Sequence, residues 1–451
     1  DPLNRRTQAS YADGAIAAFT YDAAGRLLQA DDTADPHRPI AMTYDPLDRL
    51  LAETTSLGTV SYQYDSLGRR TQMTVSGQSP VAYTYDAASR LRTITQAQLN
   101  PVDIQYDALG RRTLLTLPNQ VSTEYQYDPG SRLTALIYRN ALAPLGDLTY
   151  QYDLAGNRIA VGGSFSRTLL PNPVPSATYD SANRQLTFGD KTMTFDDNGS
   201  LAALTEIAGA TAFGWDPRNR LTTMTGPAVN ASFAYDALGR RPQRTINGVT
   251  TAYQYDAVDI VQERGASGDA AYLRSLATDE TLARSDGAGV ATYLTDALGS
   301  TVALADNAGS IATTFTYDPF GRSGSTGAAT PNPFQYAGRE NDGAALYYYR
   351  TRYYNPSQQR FLSEDKLLQP YSALRACCGY CPSEFQDVSL PFLAMRSPQV
   401  LNAYSYVGNN PVNFRDPYGL EKDKKDKCGG TLRYSYCELS FGMDSFECAF
   451  L

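Results

Sequence analysis

A Tyr-Asp dipeptide recurs along this chain at nearly constant intervals, usually with Gly-Arg or a relative three or four residues later. The fullest copies are Tyr21-Asp22-Ala-Ala-Gly25-Arg26, Tyr64-Asp65-Ser-Leu-Gly68-Arg69, Tyr106-Asp107-Ala-Leu-Gly110-Arg111, Tyr235-Asp236-Ala-Leu-Gly239-Arg240 and Tyr317-Asp318-Pro-Phe-Gly321-Arg322. Looser copies centre on Asp45, Asp86, Asp128, Asp153, Asp180, Asp196, Asp216, Asp256 and Asp296. From Asp22 to Asp236 the aspartates are spaced by 23, 20, 21, 21, 21, 25, 27, 16, 20 and 20 residues. A period near 20 specifies a tandem-repeat architecture rather than a set of separate globular units.

Each repeat reads as an antiparallel hairpin. Around Asp65, Ser-Tyr-Gln-Tyr alternates on one side of the turn, and Arg69-Arg-Thr-Gln-Met-Thr-Val alternates on the other. Period-two patterning on both sides of a turn is the hairpin signature. An aspartate at the first turn position can accept from backbone N–H groups two and three residues on. Glycine at the fourth position takes positive φ cheaply, which suits a turn followed by a bulge. Pro46, Pro129, Pro217 and Pro319 follow the Asp where a turn tolerates a fixed φ. Second turns at Ser76-Gly77, Asn247-Gly248 and Asp286-Gly287-Ala288-Gly289 close the repeats. A lone hairpin is marginal in water, so neighbouring repeats must pair laterally. The expected fold is all-β: tandem hairpins in one long, spiralling antiparallel sheet, a shell or partial shell. The 33 tyrosines and 16 phenylalanines suit such strands, whereas the constant Gly, Pro and Asp-x-x-Gly punctuation leaves no long helical stretch.

The charge of −8 is scattered, with no basic stripe to engage nucleic acid. No apolar run approaches a membrane span, and no motif calls for a cofactor. The chain opens at Asp1 without Met or a leader, as expected of a processed product or a fragment. Its cysteines form two groups, Cys377, Cys378 and Cys381, then Cys428, Cys437 and Cys448. Disulfides joining the groups, a metal site at Cys-Cys-x-x-Cys and free thiols all remain open readings. Some 14 repeats give about 28–30 strands, a ribbon on the order of 140 Å at about 4.8 Å per strand. That is short for closure on all sides. An upstream segment, a partner chain or self-association is expected to cover the open edges and complete any container.

After Arg322 the texture changes. Asn332-Pro-Phe-Gln-Tyr336-Ala-Gly338-Arg339-Glu340 leads into Leu346-Tyr-Tyr-Tyr-Arg350-Thr-Arg352-Tyr353-Tyr354-Asn355-Pro356, then Arg360-Phe361-Leu362-Ser363-Glu-Asp365. Asn402-Ala-Tyr404-Ser-Tyr406-Val-Gly408-Asn409-Asn410-Pro411 and Asp416-Pro417-Tyr418-Gly419-Leu420 follow. With these motifs the chain resembles the Rhs/YD-repeat family of bacterial polymorphic toxins, over roughly residues 10–420. It is similar also to toxin-complex C subunits and to the YD shell of teneurins. The resemblance implies YD repeats over 1–322, an Rhs-associated core plugging the shell over 323–420 with an insertion near 368–398, and a tail or the start of the cargo over 421–451. It implies a secreted or cell-surface bacterial protein whose shell holds its own C-terminal toxin or effector. It further implies an aspartic-type autoprotease acting only on itself, with Asp365, Asp416 and Arg352 as catalytic residues and Leu420–Glu421 as the bond cut. In place of the family's first Asp-Pro-x-Gly stands Asp365-Lys366-Leu367-Leu368, and the two aspartates lie 51 residues apart. Two carboxylates sharing one site divide into an acid and a base, and a guanidinium can hold a carboxylate or a developing oxyanion. The same residues also make an ordinary Asp-Pro turn and strand packing. A non-enzymatic extracellular scaffold, adhesin or fibre subunit is the alternative.

Overall fold

The computed structural model describes residues 1–366 and 402–420, apart from residues 142, 172, 267, 344 and 345. The cysteine groups, the insertion near 368–398, Glu421 and the tail lie outside the described residues. Among the described residues there are 35 strands in sheets of 15, 16 and 4, and helix is confined to single 3₁₀ turns such as Tyr336–Gly338 and Val407–Asn409. In each sheet the spatial order of the strands is their order in the sequence. Hairpins therefore merge laterally as expected, but into two long sheets. The first runs from Gln8–Ser10 to Arg158–Gly162 and the second from Ala177–Tyr179 to Ser323–Gly327. Pro171, Pro173 and Pro175 fall between them, and a proline cannot donate to a ladder.

The Tyr-Asp turns share one chemistry. In the repeat at Asp65, its N–H donates to the Arg69 carbonyl (2.9 Å) and the Gly68 N–H donates to the Asp65 carbonyl (3.0 Å). The Asp65 carboxylate accepts from Leu67 and Arg69, each at 2.9 Å. The carboxylate thus takes the N–H groups two and four residues on, not two and three. The third is already occupied by the β-turn's own backbone bond. Gly68 sits at φ +81°, and register shifts by one residue between Gln63 and Tyr64, so the turn ends in a bulge.

The arginine then staples one repeat to the next. Arg90 donates Nε to Asp86 (2.7 Å) and Nη1 to the Asp107 carbonyl (3.2 Å), and its guanidinium lies 4.7 Å from the Tyr106 ring centroid. The Tyr106 hydroxyl in turn donates to the carbonyl of Leu91 (2.8 Å). Arg49, Arg69, Arg111 and Arg220 stack likewise on Tyr64, Tyr85, Tyr127 and Tyr235. At Trp215 the indole N–H replaces the hydroxyl and donates to Leu201 (2.7 Å).

Two compact units make up the chain. One contains Thr43–Pro171 and Tyr253–Asn341. Here Val60, Tyr62, Met73, Ile94, Ile104 and Tyr138 of the first sheet share a core with Val261, Leu273 and Leu294 of the second. Arg70 pairs with Asp256 (2.5 Å) and Arg112 with Glu280 across it. The other unit contains Asp1–Met42, residues 173–252 and the described residues from Asp342 onward. Its core joins Met193, Leu201, Phe213, Leu221 and Phe233 to Leu346, Tyr348, Tyr353 and Leu362. Each such buried apolar side chain contributes roughly 1.5–3 kcal/mol. This second core fixes the C-terminal segments on which the candidate site stands.

Candidate functional site

The site grows from a tyrosine-rich hairpin. Tyr347–Tyr349 pairs antiparallel with Arg352–Asn355 through the two-residue turn Arg350-Thr351, and Arg350 takes φ +60°. Tyr349, Tyr354, Phe361 and Tyr406 pack as a ring cluster with centroids 4.5–5.9 Å apart. The Tyr349 and Tyr406 hydroxyls meet at 3.0 Å. Arg352 lies with its guanidinium 3.7 Å from the centroid of Phe361, so aromatic packing fixes where the charge sits.

The segments before residue 367 and after residue 401 come together at one place. Phe361 N–H donates to Tyr404 and Asp365 N–H to Ala403, both at 3.0 Å. Arg352 Nη1 donates to the same Ala403 carbonyl at 2.9 Å. The 51-residue separation of Asp365 and Asp416 therefore does not keep them apart. Arg352 Nη2 lies 2.8 Å from Asp365 Oδ2 and 3.6 Å from Asp416 Oδ2. All three side chains are buried.

Asp416 also organises the segment that follows it. Its Oδ1 accepts from Tyr418 (3.2 Å), Gly419 (2.8 Å) and Leu420 (3.1 Å) N–H groups. Burial pushes the Asp416 carboxyl up to about 6, and Asp365 adds to the rise; Arg352 and the Leu420 and Gly419 N–H groups oppose it. Lys366 stands where the family motif has proline. Burial, and then Arg220, push its ammonium down to about 8.

Three consecutive side chains of the hairpin turn grip the carbonyls of this segment. Arg350 donates to Pro417, Thr351 Oγ1 donates to Tyr418 (2.7 Å) and Gly419 (2.9 Å), and Arg352 Nε donates to Gly419. Gly419 is at φ +71°, and a Cβ there would come 2.4 Å from the Tyr349 carbonyl oxygen. Only glycine fits. Sequence reasoning named Arg352, Asp365 and Asp416 but missed Arg350 and Thr351. Their partners are backbone carbonyls, which leave no pattern in the sequence. Glu421, expected to follow the bond cut, and all six cysteines lie outside the described residues. Among the described residues no group of three or more His, Cys, Asp or Glu is arranged to hold a metal ion. Nor is any helix there long and apolar enough to cross a membrane.

Tandem Tyr-Asp hairpins in long antiparallel sheets, followed by a tyrosine-rich segment bound onto them, define a repeat protein of the YD-shell class. The Teneurin YD-shell family model matches residues 3–122 and 119–412, and the chain belongs to that family. The earlier resemblance to Rhs/YD-repeat proteins is thereby borne out. Among solved structures, it is similar to TcdB2-TccC3 without the hypervariable C-terminal region (17% identity, TM-score 0.62, 93% of this chain covered). TcdB2-TccC3-Cdc42 is similar at 18% identity and TM-score 0.60, again over 93% of this chain. A Tc holotoxin pore of Photorhabdus luminescens carrying a TccC3 mutation is similar at 16% identity and TM-score 0.59, over 96% of this chain. The chain spans 27% of the length of each of those chains. No curated protein matches it.

Proposed function

We propose that this chain is part of a bacterial, exported β-shell that encloses its own C-terminal toxin or effector and frees it by cutting itself after Leu420. One observation carries the reading. Two buried carboxylates, Asp365 and Asp416, share the guanidinium of Arg352, and Asp416 accepts from the N–H groups of the three residues that lead to the proposed bond. Held 2.8 Å from Arg352, Asp365 serves as the base and takes a proton from a water molecule. The water oxygen bonds to the Leu420 carbonyl carbon. Asp416, whose carboxyl is raised toward neutrality, gives its proton to the departing Glu421 nitrogen as the C–N bond breaks. Arg352 steadies the paired carboxylates throughout. The short span of the chain against the matched structures supports completion of the container by further sequence, a partner chain or a second copy.

Intact mass of the purified chain, with and without reductant, tests both cleavage and cysteine pairing. The expected species ends at Leu420, and Asp416→Asn slows its appearance at least 100-fold, the scale of a lost general acid. A chain that stays whole at pH 5–7 refutes self-cleavage and favours the non-enzymatic scaffold.

A further inference from the structure

We infer that Arg350, Thr351 and Arg352 form a register ladder that selects which peptide bond is cut. This rests on the self-cleavage reading, but it concerns bond choice rather than chemistry. The turn Arg350-Thr351 and the first residue of the next strand send side chains to three successive carbonyls, those of Pro417, Tyr418 and Gly419. Thr351 is the centre of the ladder, because one hydroxyl reaches two of those oxygens, at 2.7 and 2.9 Å. Its own N–H adds a longer contact to the Tyr418 carbonyl at 3.4 Å. On the opposite side Asp416 holds the Tyr418, Gly419 and Leu420 N–H groups. Carbonyls on one side and amides on the other are thus both fixed through residue 419. The next carbonyl along the chain, that of Leu420, lies one residue beyond those three and is the one at the proposed bond.

A slip by one residue is blocked twice. It would bring a residue with a Cβ to the place of Gly419, 2.4 Å from the Tyr349 carbonyl oxygen. It would also move the Arg350 guanidinium off the Tyr418 ring, which it overlies at 5.2 Å. Thr351 and Arg350 are therefore positioning residues. They touch the segment to be cut but not the reacting atoms.

The test uses the full chain, incubated near pH 6, with product ends mapped by intact mass. The wild type is expected to give one end, at Leu420. Thr351→Val, nearly isosteric, should slow the cut tenfold or more, and Thr351→Ser, which keeps the hydroxyl, should restore it. Arg350→Met combined with Thr351→Val should spread the ends over neighbouring bonds. Product confined to Leu420 in the double variant, at whatever rate, overturns the ladder while leaving the chemistry intact. Should the wild type itself stay whole, the cleavage reading fails and the ladder is judged by amide hydrogen exchange. Gly419 and Leu420 amides should then exchange at least tenfold faster in Thr351→Val than in the wild type, and equal exchange overturns it.

Discussion

Arg241 donates from both terminal guanidinium nitrogens to the two carboxylate oxygens of Asp342, and both side chains are almost wholly buried. Arg244 adds a further bond to the same carboxylate, and the Tyr353 hydroxyl accepts from Arg241 at 2.8 Å. A repeat strand is thus tied to the beginning of the tyrosine-rich segment. Burial by itself would raise the Asp342 carboxyl, but Arg241 and Arg244 outweigh it and hold the group below the usual carboxylate range.

Removing one partner from this arrangement should be far worse than removing both. Asp342→Asn leaves two guanidinium charges without their anion and should cost about 3–5 kcal/mol. Arg241→Met combined with Asp342→Leu removes the fully buried pair and leaves only the less buried Arg244 without this carboxylate, so it should recover part of that loss. Urea midpoints of the single and double variants decide the matter, and an unchanged midpoint for Asp342→Asn would mean the pair holds nothing together. Since this carboxyl is depressed, its contribution is complete above the ordinary carboxylate range. It is lost as pH falls through the lowered value.

The Arg–Tyr staple predicts a coupled pair of losses. Arg90→Ala removes the ion pair to Asp86, the bond to the Asp107 carbonyl and the stack on Tyr106. About a third of the side chain is exposed, so solvent screens the ion pair and the expected cost is about 1–2 kcal/mol. Tyr106→Phe removes the bond to Leu91 and should cost about 1 kcal/mol. The Arg90→Ala/Tyr106→Ala pair should show a coupling energy above about 0.5 kcal/mol in a double-mutant cycle. Strict additivity would argue that the two side chains do not act together.

The period, the hairpins and the turn aspartates were legible because each is a local pattern repeated many times. What happens where a repeat departs from the pattern was not. At Asp196 and Asp296 the turn ends in Ser200 and Ser300 instead of arginine, and a distant segment bonds to the chain there. Leu201 N–H donates to Leu362 (2.8 Å), while Thr301 N–H donates to Gln335 (3.1 Å) and Ser300 Oγ accepts from Ala337 (3.1 Å). The division into two sheets was equally hidden, since each flank of the break is an ordinary hairpin. In Gly-Arg-Arg, the second arginine occupies the inward position where other repeats have Leu27, Leu201 or Leu221. Its acidic partner is chosen by the tertiary fold, nearly 170 or more residues away for Arg70 and Arg112. At the candidate site, the family resemblance pointed to Arg352, Asp365 and Asp416, although the spacing of the two aspartates departs from the family's, while the carbonyl-gripping roles of Arg350 and Thr351 needed the folded structure.

The elevated Asp416 carboxyl gives the proposed cleavage a direction in pH. A general acid must be protonated to act, and this one stands at about 6, raised by burial. The rate should be near its plateau below that value and fall about tenfold per unit above pH 7. Asp416→Glu moves the carboxyl by one methylene and should lower the rate without abolishing the alkaline decline. Cleavage that is constant from pH 5 to 9, followed by intact mass, would exclude Asp416 as the proton donor.

Asp35 makes a prediction independent of cleavage. Its side chain is buried, and that burial, with Asp236 and Asp32 nearby, raises its carboxyl to about 7; the His37 N–H (2.8 Å) and Arg240 pull the other way. The folded state therefore holds a proton that the unfolded chain releases near the ordinary aspartate value of about 4. Between those values the native state binds more protons than the unfolded state, so stability falls as pH rises from about 4 to 7 and is flat above. Asp35→Asn keeps an oxygen to accept from His37 while abolishing the charge. It should raise Tm by roughly 2 °C or more at pH 8, and the gain should vanish near pH 4. A variant that melts below the wild type at pH 8 would show that the ionised carboxylate is stabilised where it stands, contrary to the burial argument.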